Sequence, residues 1–370
     1  MKNIFASRGG IIAAGSIIGA LAAGLVYLGN PVNMGICVAC FTRDTAGALG
    51  LHRAGAVQYI RPELVGFVWG ALIAALAFRE FRPRGGSSPL IRFVLGFFAM
   101  VGALVFLGCP WRALLRLAGG DWNGAVGIVG LIAGISVGVS FLKNGFMLGR
   151  ASASRAAVGW VMPVFALLLL ILVAVPVKFS PDGPVFFSAQ GPGSAHAPLL
   201  ISLAAGLLVG FLAQRTRFCT MGALRDVILT RDTHLLSGVL AFTIVAFLVN
   251  LLIGKFNPGF APHPVAHSNH IWNFLGMALS GLCFALAGGC PGRQFFMSGE
   301  GDGDAAVFVA GMFAGAAFAH NLSFAGSPDK FDKATQVLTV GGPAFWGQAA
   351  VIVGLIIVVA IGWAMKEKRA

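Results

Sequence analysis

Gly108-Cys109-Pro110-Trp111-Arg112 returns 181 residues later as Gly289-Cys290-Pro291-Gly292-Arg293. The match continues without a gap through Gly120-Asp121 against Gly301-Asp302, Ala125-Val126 against Ala306-Val307, Gly130 against Gly311 and Ala133-Gly134 against Ala314-Gly315. A second pattern upstream behaves alike: Cys37, Arg43, Asp44 and His52 recur as Cys219, Arg225, Asp226 and His234, 182 residues apart. Two motifs repeated at nearly one offset mark an internal duplication.

Each motif sits where a full-length helix does not fit. Pro110 opens a short apolar run that Gly119-Gly120 stops, so Trp111 to Ala118 is predicted as a short helix with Pro at its start and Gly past its end. Asn30-Pro31-Val32-Asn33-Met34-Gly35 is turn-rich, and Ile36 to Leu49 after it is too short to cross a bilayer; a re-entrant half-helix fits. The second half repeats both features at Cys219 and Cys290.

The surroundings are built for lipid. The chain is 57% hydrophobic and 11% charged over 370 residues, too little polar surface for a soluble globule of this size. Apolar runs long enough to cross about 30 Å of hydrocarbon lie near 10–28, 62–78, 90–107, 123–142, 157–176, 197–214, 235–254, 271–288, 304–320 and 346–364. The expected fold is an all-α polytopic membrane protein of about ten transmembrane helices and four re-entrant half-helices. Lys2 and Arg8 ahead of the first run resemble a secretory signal, but the run is long and no small-x-small site follows, so it reads as a retained first helix.

The net charge of +13 follows topology rather than nucleic acid. With the N-terminus inside, 17 of the 26 basic residues, Lys2, Lys143, Arg217, Lys368 and Arg369 among them, fall on the cytoplasmic side, as the positive-inside rule requires. They are spread over helix ends and not gathered on one face, which argues against a DNA or RNA partner. Ten helices place both termini in the cytoplasm. Five precede the second copy of the repeat, and an odd number inverts it. The expected organisation is repeat one over 1–145, a linker helix and outer loop over 146–195, an inverted repeat over 196–321, and an outer loop with a C-terminal helix over 322–370. Substrate sites in inverted-repeat transporters lie between the repeats.

On this layout Cys37 and Cys109 approach the membrane centre from outside, and Cys219 and Cys290 from inside. Half-helix N-termini aim unpaired N–H groups and a partial positive charge at whatever lies in front of them, so an anion is the natural guest. Soft sulfur there suits a sulfur- or selenium-bearing anion better than a hard one such as sulfate. Arg43, Arg112, Arg225 and Arg293 lie nearby in sequence as supporting residues, as do His52 and His234, for which interfacial anchoring competes with substrate handling. Arg43-Asp44 and Arg225-Asp226 also read as self-neutralising pairs, and Asp121 and Asp302 as helix caps. Cys40 and Cys283 have no counterpart and read as packing residues.

Other motifs are weaker. Cys37-Val38-Ala39-Cys40 is a C-x-x-C, but its second copy has Gly222 in place of the second thiol, so neither a metal nor a cofactor is expected. The segment carrying His263, His267 and His270 is flanked by Pro262 and Pro264 and reads as a solvated loop. Gly66 with Gly70, and Gly130 with Gly134, mark close helix packing. No G-x-x-x-x-G-K-[ST] is present, so this chain's own ATP hydrolysis does not drive transport. Few intramembrane carboxylates are available for a proton relay, so passage is expected to be channel-like or weakly coupled.

These residues resemble the YeeE/YedE family of bacterial membrane proteins, associated with uptake of sulfur-containing ions, and above all its YedE-like branch, associated with selenium. The likeness covers most of the chain. It is carried by Cys37-x5-Arg43-Asp44, by Gly108-Cys109-Pro110-Trp111-Arg112, by Gln214-Arg215-Thr216-Arg217-Phe218-Cys219-Thr220-Met221-Gly222 with Arg225-Asp226, and by Gly288-Gly289-Cys290-Pro291-Gly292-Arg293. It implies an hourglass of inverted halves whose short loops meet at the centre, where cysteines hand thiosulfate inward: Cys37, Cys109 and Cys290, with Cys219 in the equivalent loop. The expectation is thus an inner-membrane transporter, not an enzyme, importing a small sulfur- or selenium-containing solute, set in membrane lipid and open to a cytosolic sulfur or selenium acceptor protein. The rival reading is a membrane thiol-disulfide relay built on the same cysteines. A third combines both, holding cargo as a persulfide for delivery.

Overall fold

The computed structural model describes residues 4–175, 185–332 and 334–366. Lys2, Lys368 and Arg369 of the topology argument, and part of the expected 146–195 linker, lie outside the described residues.

Fourteen α-helices are found among the described residues, ten of 16–21 residues and four of 9–11. The long ones are α1 (Arg8–Tyr27), α3 (Pro62–Ala77), α4 (Pro89–Phe106), α6 (Asn123–Lys143), α7 (Ala156–Ala174), α8 (Leu199–Thr216), α10 (His234–Leu252), α11 (His270–Ala287), α13 (Gly303–Asn321) and α14 (Phe345–Ala364). The short ones are α2 (Val38–Ala48), α5 (Pro110–Ala118), α9 (Thr220–Thr230) and α12 (Pro291–Gly299). Nine long helices have the length and hydropathy to cross a membrane; α3, at 16 residues, is apolar but shorter. Two short antiparallel pairings, Arg84–Gly85 with Ser152–Ala153 and Lys330–Asp332 with Val337–Thr339, tie loops together. This is a multi-pass helical membrane protein. Its outward faces bear that out: Val161, Val164, Leu168 and Ile171 on α7, and Ile352, Val353 and Ile356 on α14, are exposed, a cost in water and none in lipid.

The order long, short, long, long, short, long occurs twice, as α1–α6 and α8–α13, and the two sets exchange partners. α1 packs along α10 and α3 along α8; α4 packs along α13 and α6 along α11; α4 and α11 face each other. α7 lies against α3, and α14 against α4 and α11. Small residues set the close spacing: a methyl at Gly66 or Gly70 would enter the α8 backbone at Gly206 and Leu207, and one at Gly130 or Gly134 would meet the carbonyls of Phe274 and Ala278. Both glycine pairs therefore act in packing.

The nearly equal offsets of the two motifs hide a difference. The connection before α3 is longer than the one before α10, and the connection after α10 is longer than the one after α3, so the shift cancels by the second motif. His52 and His234 are consequently not equivalent. His234 is the first residue of α10 and partly exposed, whereas His52 lies in the loop before α3 and is buried.

Candidate functional site

All four matched cysteines are N-cap residues of the four short helices, each in an extended conformation just before the first turn. Pro110 and Pro291 hold the first helical position, where the missing N–H costs nothing. The helix interaction thus follows from sequence signals one turn long. The pairing does not: Cys37 Sγ lies 3.7 Å from Cys109 Sγ, and Cys219 Sγ 3.4 Å from Cys290 Sγ, each pair joining two short helices of one half. All four are buried and free thiols.

Two of the four caps, at Cys37 and Cys219, are made through sulfur; Cys109 and Cys290 hold the cap position without a side-chain cap bond. Cys37 Sγ accepts from the Cys40 N–H at 3.4 Å and Cys219 Sγ from the Gly222 N–H at 3.3 Å, three residues on in both copies. Cys219 Sγ also faces the Cys290 N–H at 3.5 Å. Only backbone is used at the third position, which is why Gly222 can stand where Cys40 stands. Each half therefore holds two sulfur atoms in front of two helix N-termini, with N–H groups already directed at sulfur.

The arginines grouped with the thiols behave unequally. Arg112 is fully buried, donates to the Leu107 carbonyl and to Val265 O at 2.9 Å, and reaches sulfur at Cys40, 3.5 Å away. Cys40, read as a packing residue, is thereby part of the first-half thiol cluster; the C-x-x-C spacing was the signal. Arg43, Arg225 and Arg293 instead bind carboxylates. Arg43 bonds Asp44 at 2.6 Å, Arg225 bonds Asp226 at 2.8 Å, and Arg293 bonds Glu300 at 3.0 Å. Asp44 has a second partner that sequence reasoning missed, Arg61, at 2.7 Å; all three side chains are buried. Arg225 and Asp226 are partly exposed.

Glu300 was also missed. It accepts from Arg293 and from Arg217, the residue just past the end of α8 and two positions before Cys219, both at 3.0 Å. Arg217 also reaches Glu80, which Arg215 binds at 2.9 Å. Burial pushes the Glu80 carboxyl up, but hydrogen bonds from Gln214 and Arg215, with the charges of Arg215 and Arg217, outweigh it and hold the group below its usual range.

Two further expectations change. Asp302 caps α13 through the Ala305 N–H, but Asp121 does not hold the cap position of α6, which falls to Trp122; it forms a buried ion pair with Arg116 at 2.6 Å and accepts from the Asn123 N–H. The histidine loop is not solvated throughout. His263 and His267 are buried, bonding Gly259 O and Val105 O, because the loop folds back over the end of α4. Burial first, then the charge of Arg116, pushes His267 down to about 4 against the opposing pull of the Val105 carbonyl and of Asp329 and Asp121. His52 takes Ala54 N–H on Nδ1 and, since Arg43 O only accepts, donates from Nε2, so it is the neutral Nε2–H tautomer; burial keeps it below its ordinary value. Among the described residues no group of three or more His, Cys, Asp or Glu is arranged to hold a metal ion.

A helical membrane protein with a buried thiol pair at the half-helix termini of each half is the class that fold and site define. Its second half, residues 215–370, matches the family model described as sulphur transport. The chain is 32% identical over 183 residues to the thiosulfate transporter TsuA of Spirochaeta thermophila, covering 42% of this chain and 53% of that protein. It is 30% identical over 104 residues to the thiosulfate transporter TsuA of Escherichia coli, covering 28% of this chain and 29% of that one. The chain thus spans about half the length of the first relative and under a third of the second. These matches bear out the resemblance to the YeeE/YedE family; they do not reach its selenium branch.

Proposed function

We propose that this protein imports a small sulfur-containing anion, thiosulfate in the first instance, through the bacterial inner membrane along a path lined by Cys37, Cys109, Cys219 and Cys290. One observation carries the reading: in both halves two cysteines hold the cap positions of two short helices and meet, so that each thiol pair lies in front of N–H groups already bonded to sulfur. A soft anion can replace such a contact with one of the same kind, and weak sulfur hydrogen bonds favour release over trapping. The names of the relatives speak for transport over the thiol relay.

In this reading the two sets of six helices are repeats of opposite orientation, related by a pseudo-two-fold axis in the membrane plane, with α7 as the linker and α14 an addition. Repeat one occupies 1–145 and repeat two 196–321, both termini are cytoplasmic, and the outer pair is Cys37 and Cys109. The reciprocal packing of α1 on α10 and α8 on α3 supports this arrangement. A selenium species would meet the same donors, and a cytosolic acceptor would receive cargo beyond Cys219 and Cys290.

The test is uptake of radiolabelled thiosulfate and radiolabelled selenite, side by side, in cells lacking their own importers and expressing the parent, Cys109→Ala or Cys290→Ala. Thiosulfate should enter with the parent and not with either variant at equal membrane levels. Selenite entry with the same cysteine dependence would move the cargo to selenium. Uptake of neither label, or variants as active as the parent, would overturn the cysteine path.

A further inference from the structure

The two copies of the Gly-Cys-Pro motif differ at one position, Trp111 in the first and Gly292 in the second. The structure puts these two residues against each other: a β-carbon at Gly292 would lie 3.3 Å from Cζ2 and 3.5 Å from Cη2 of Trp111. The bulk of one copy fills the notch left by the other. Trp111 follows Cys109 by two residues, and Gly292 follows Cys290 by two, so a single indole reaches from the outer thiol pair into the surroundings of the inner one.

The ring is caged by phenylalanines. Phe218, which precedes Cys219, is 5.7 Å away between centroids, Phe242 of α10 and Phe296 of α12 are each 6.0 Å away, and Phe67 of α3 is 6.2 Å away. All five rings are fully buried. In this apolar cage the indole contributes one polar atom, Nε1, and it meets no acceptor among the described residues. Trp69, by contrast, donates its Nε1 to Pro163 O. A buried N–H left without a partner carries a desolvation cost that a phenylalanine at 111 would not incur.

We propose that Trp111 is the partition between the two thiol pairs, and that its unengaged N–H is the donor that receives the anion as it crosses. The proposal rests on the transport reading above and adds the residue that separates the two ends of the path. An anion arriving from Cys37 and Cys109 supplies the acceptor the indole lacks. The ring then has to shift for cargo to reach Cys219 and Cys290, and the adjoining Gly292 leaves no side chain in its way. The ligand class is a small anion with oxygen or sulfur acceptors, held by one hydrogen bond and released when the ring returns to its cage.

Two readouts separate this from the transport reading itself. Trp111→Phe keeps the ring packing and removes the N–H; loss of a hydrogen bond to a charged group should lower thiosulfate uptake about tenfold to a hundredfold at equal membrane level. Trp111→Ala removes the partition. The small anionic reagent 2-sulfonatoethyl methanethiosulfonate, added outside, should then modify Cys219 and Cys290 at least about tenfold faster than in the parent or in Trp111→Phe, as read by peptide mass. Trp111→Leu takes its place if the alanine variant does not reach the membrane. Uptake by Trp111→Phe equal to the parent overturns the donor, and unchanged modification in the alanine or leucine variant overturns the partition. Should the parent itself take up no thiosulfate, the transport reading fails, while the modification rates still decide whether Trp111 separates the pairs.

Discussion

Asp44 and Asp226 occupy the same place in the repeated motif, yet their neutralisation should have very different consequences. Asp44 is wholly buried, with Arg43 on one carboxylate oxygen at 2.6 Å and Arg61 on the other at 2.7 Å. Asp44→Asn removes the charge and leaves two buried guanidinium groups. Arg61 keeps the carbonyls of Ala195 and Pro192, but both side-chain bonds of Arg43 go to Asp44. Breaking one buried pair by removing a partner costs about 3–5 kcal/mol, and two pairs share this carboxylate, so the loss should reach at least that range. Asp226 has the single partner Arg225, with side-chain exposures of 23% and 33%, and an exposed pair is worth about 0–1 kcal/mol. The assay is equilibrium unfolding of each variant in mild detergent mixed with increasing denaturing detergent. Asp44→Asn should lose about 3 kcal/mol or more and Asp226→Asn about 1 or less. Equal losses, or a loss under about 1 kcal/mol for Asp44→Asn, would refute the claim that the two copies carry different electrostatic loads.

Four further outcomes are expected. His267 titrates about 4 when folded and near 6.5 when unfolded, so the stability its burial provides is present above pH 6.5 and is lost as pH falls towards 4; between pH 7 and 5 this removes about 2 kcal/mol, and thermal unfolding of His267→Gln should show a shallower acid dependence over that window. Gly134→Ala forces a methyl against the Ala278 carbonyl and should cost about 1–3 kcal/mol, seen as a lower melting temperature in detergent, whereas Gly24→Ala, where nothing lies near, should not. Mild oxidation should close Cys219 with Cys290 and Cys37 with Cys109, detected by peptide mass, and stop uptake until a reductant is added; crosslinks between halves would contradict the pairing. Glu63 is buried with one oxygen bonded by Asn30 and the other unpartnered among the described residues, so channel-like passage requires that Glu63→Gln keep the parent's pH profile of uptake, and a flattened profile would instead make this carboxyl a coupling group.

Local order was largely legible. The ten long helices lie within a few residues of the apolar runs, since a run of that length with so few charges has few alternatives in lipid. The start of α5 at Pro110 and its end at Gly119 were written in the residues themselves. The histidine loop was misread because burial of His263 and His267 depends on a fold-back onto α4, which flanking prolines do not announce. Cys40 was set aside for lacking a counterpart, although Arg112, which binds it, sits in the other motif of the same half. Arg61 was overlooked because it lies outside both motifs; a lone arginine ahead of an apolar helix had a partner to find.

By itself the sequence determined the class of protein, the helix bounds and the place of a cysteine at the start of each short helix, because hydrophobic length and turn signals act within a few residues of chain. Tertiary structure alone decided that Cys37 meets Cys109 and Cys219 meets Cys290, that Asp44 serves two arginines while Asp226 serves one, and that Trp111 rests on Gly292. The cysteine contacts join residues 72 and 71 apart, and Trp111 and Gly292 lie on different repeats, so they depend on the register between distant helices. Repeated motifs specify like backbones; which copy is buried, and what its side chains meet, is set by the neighbours each copy packs against.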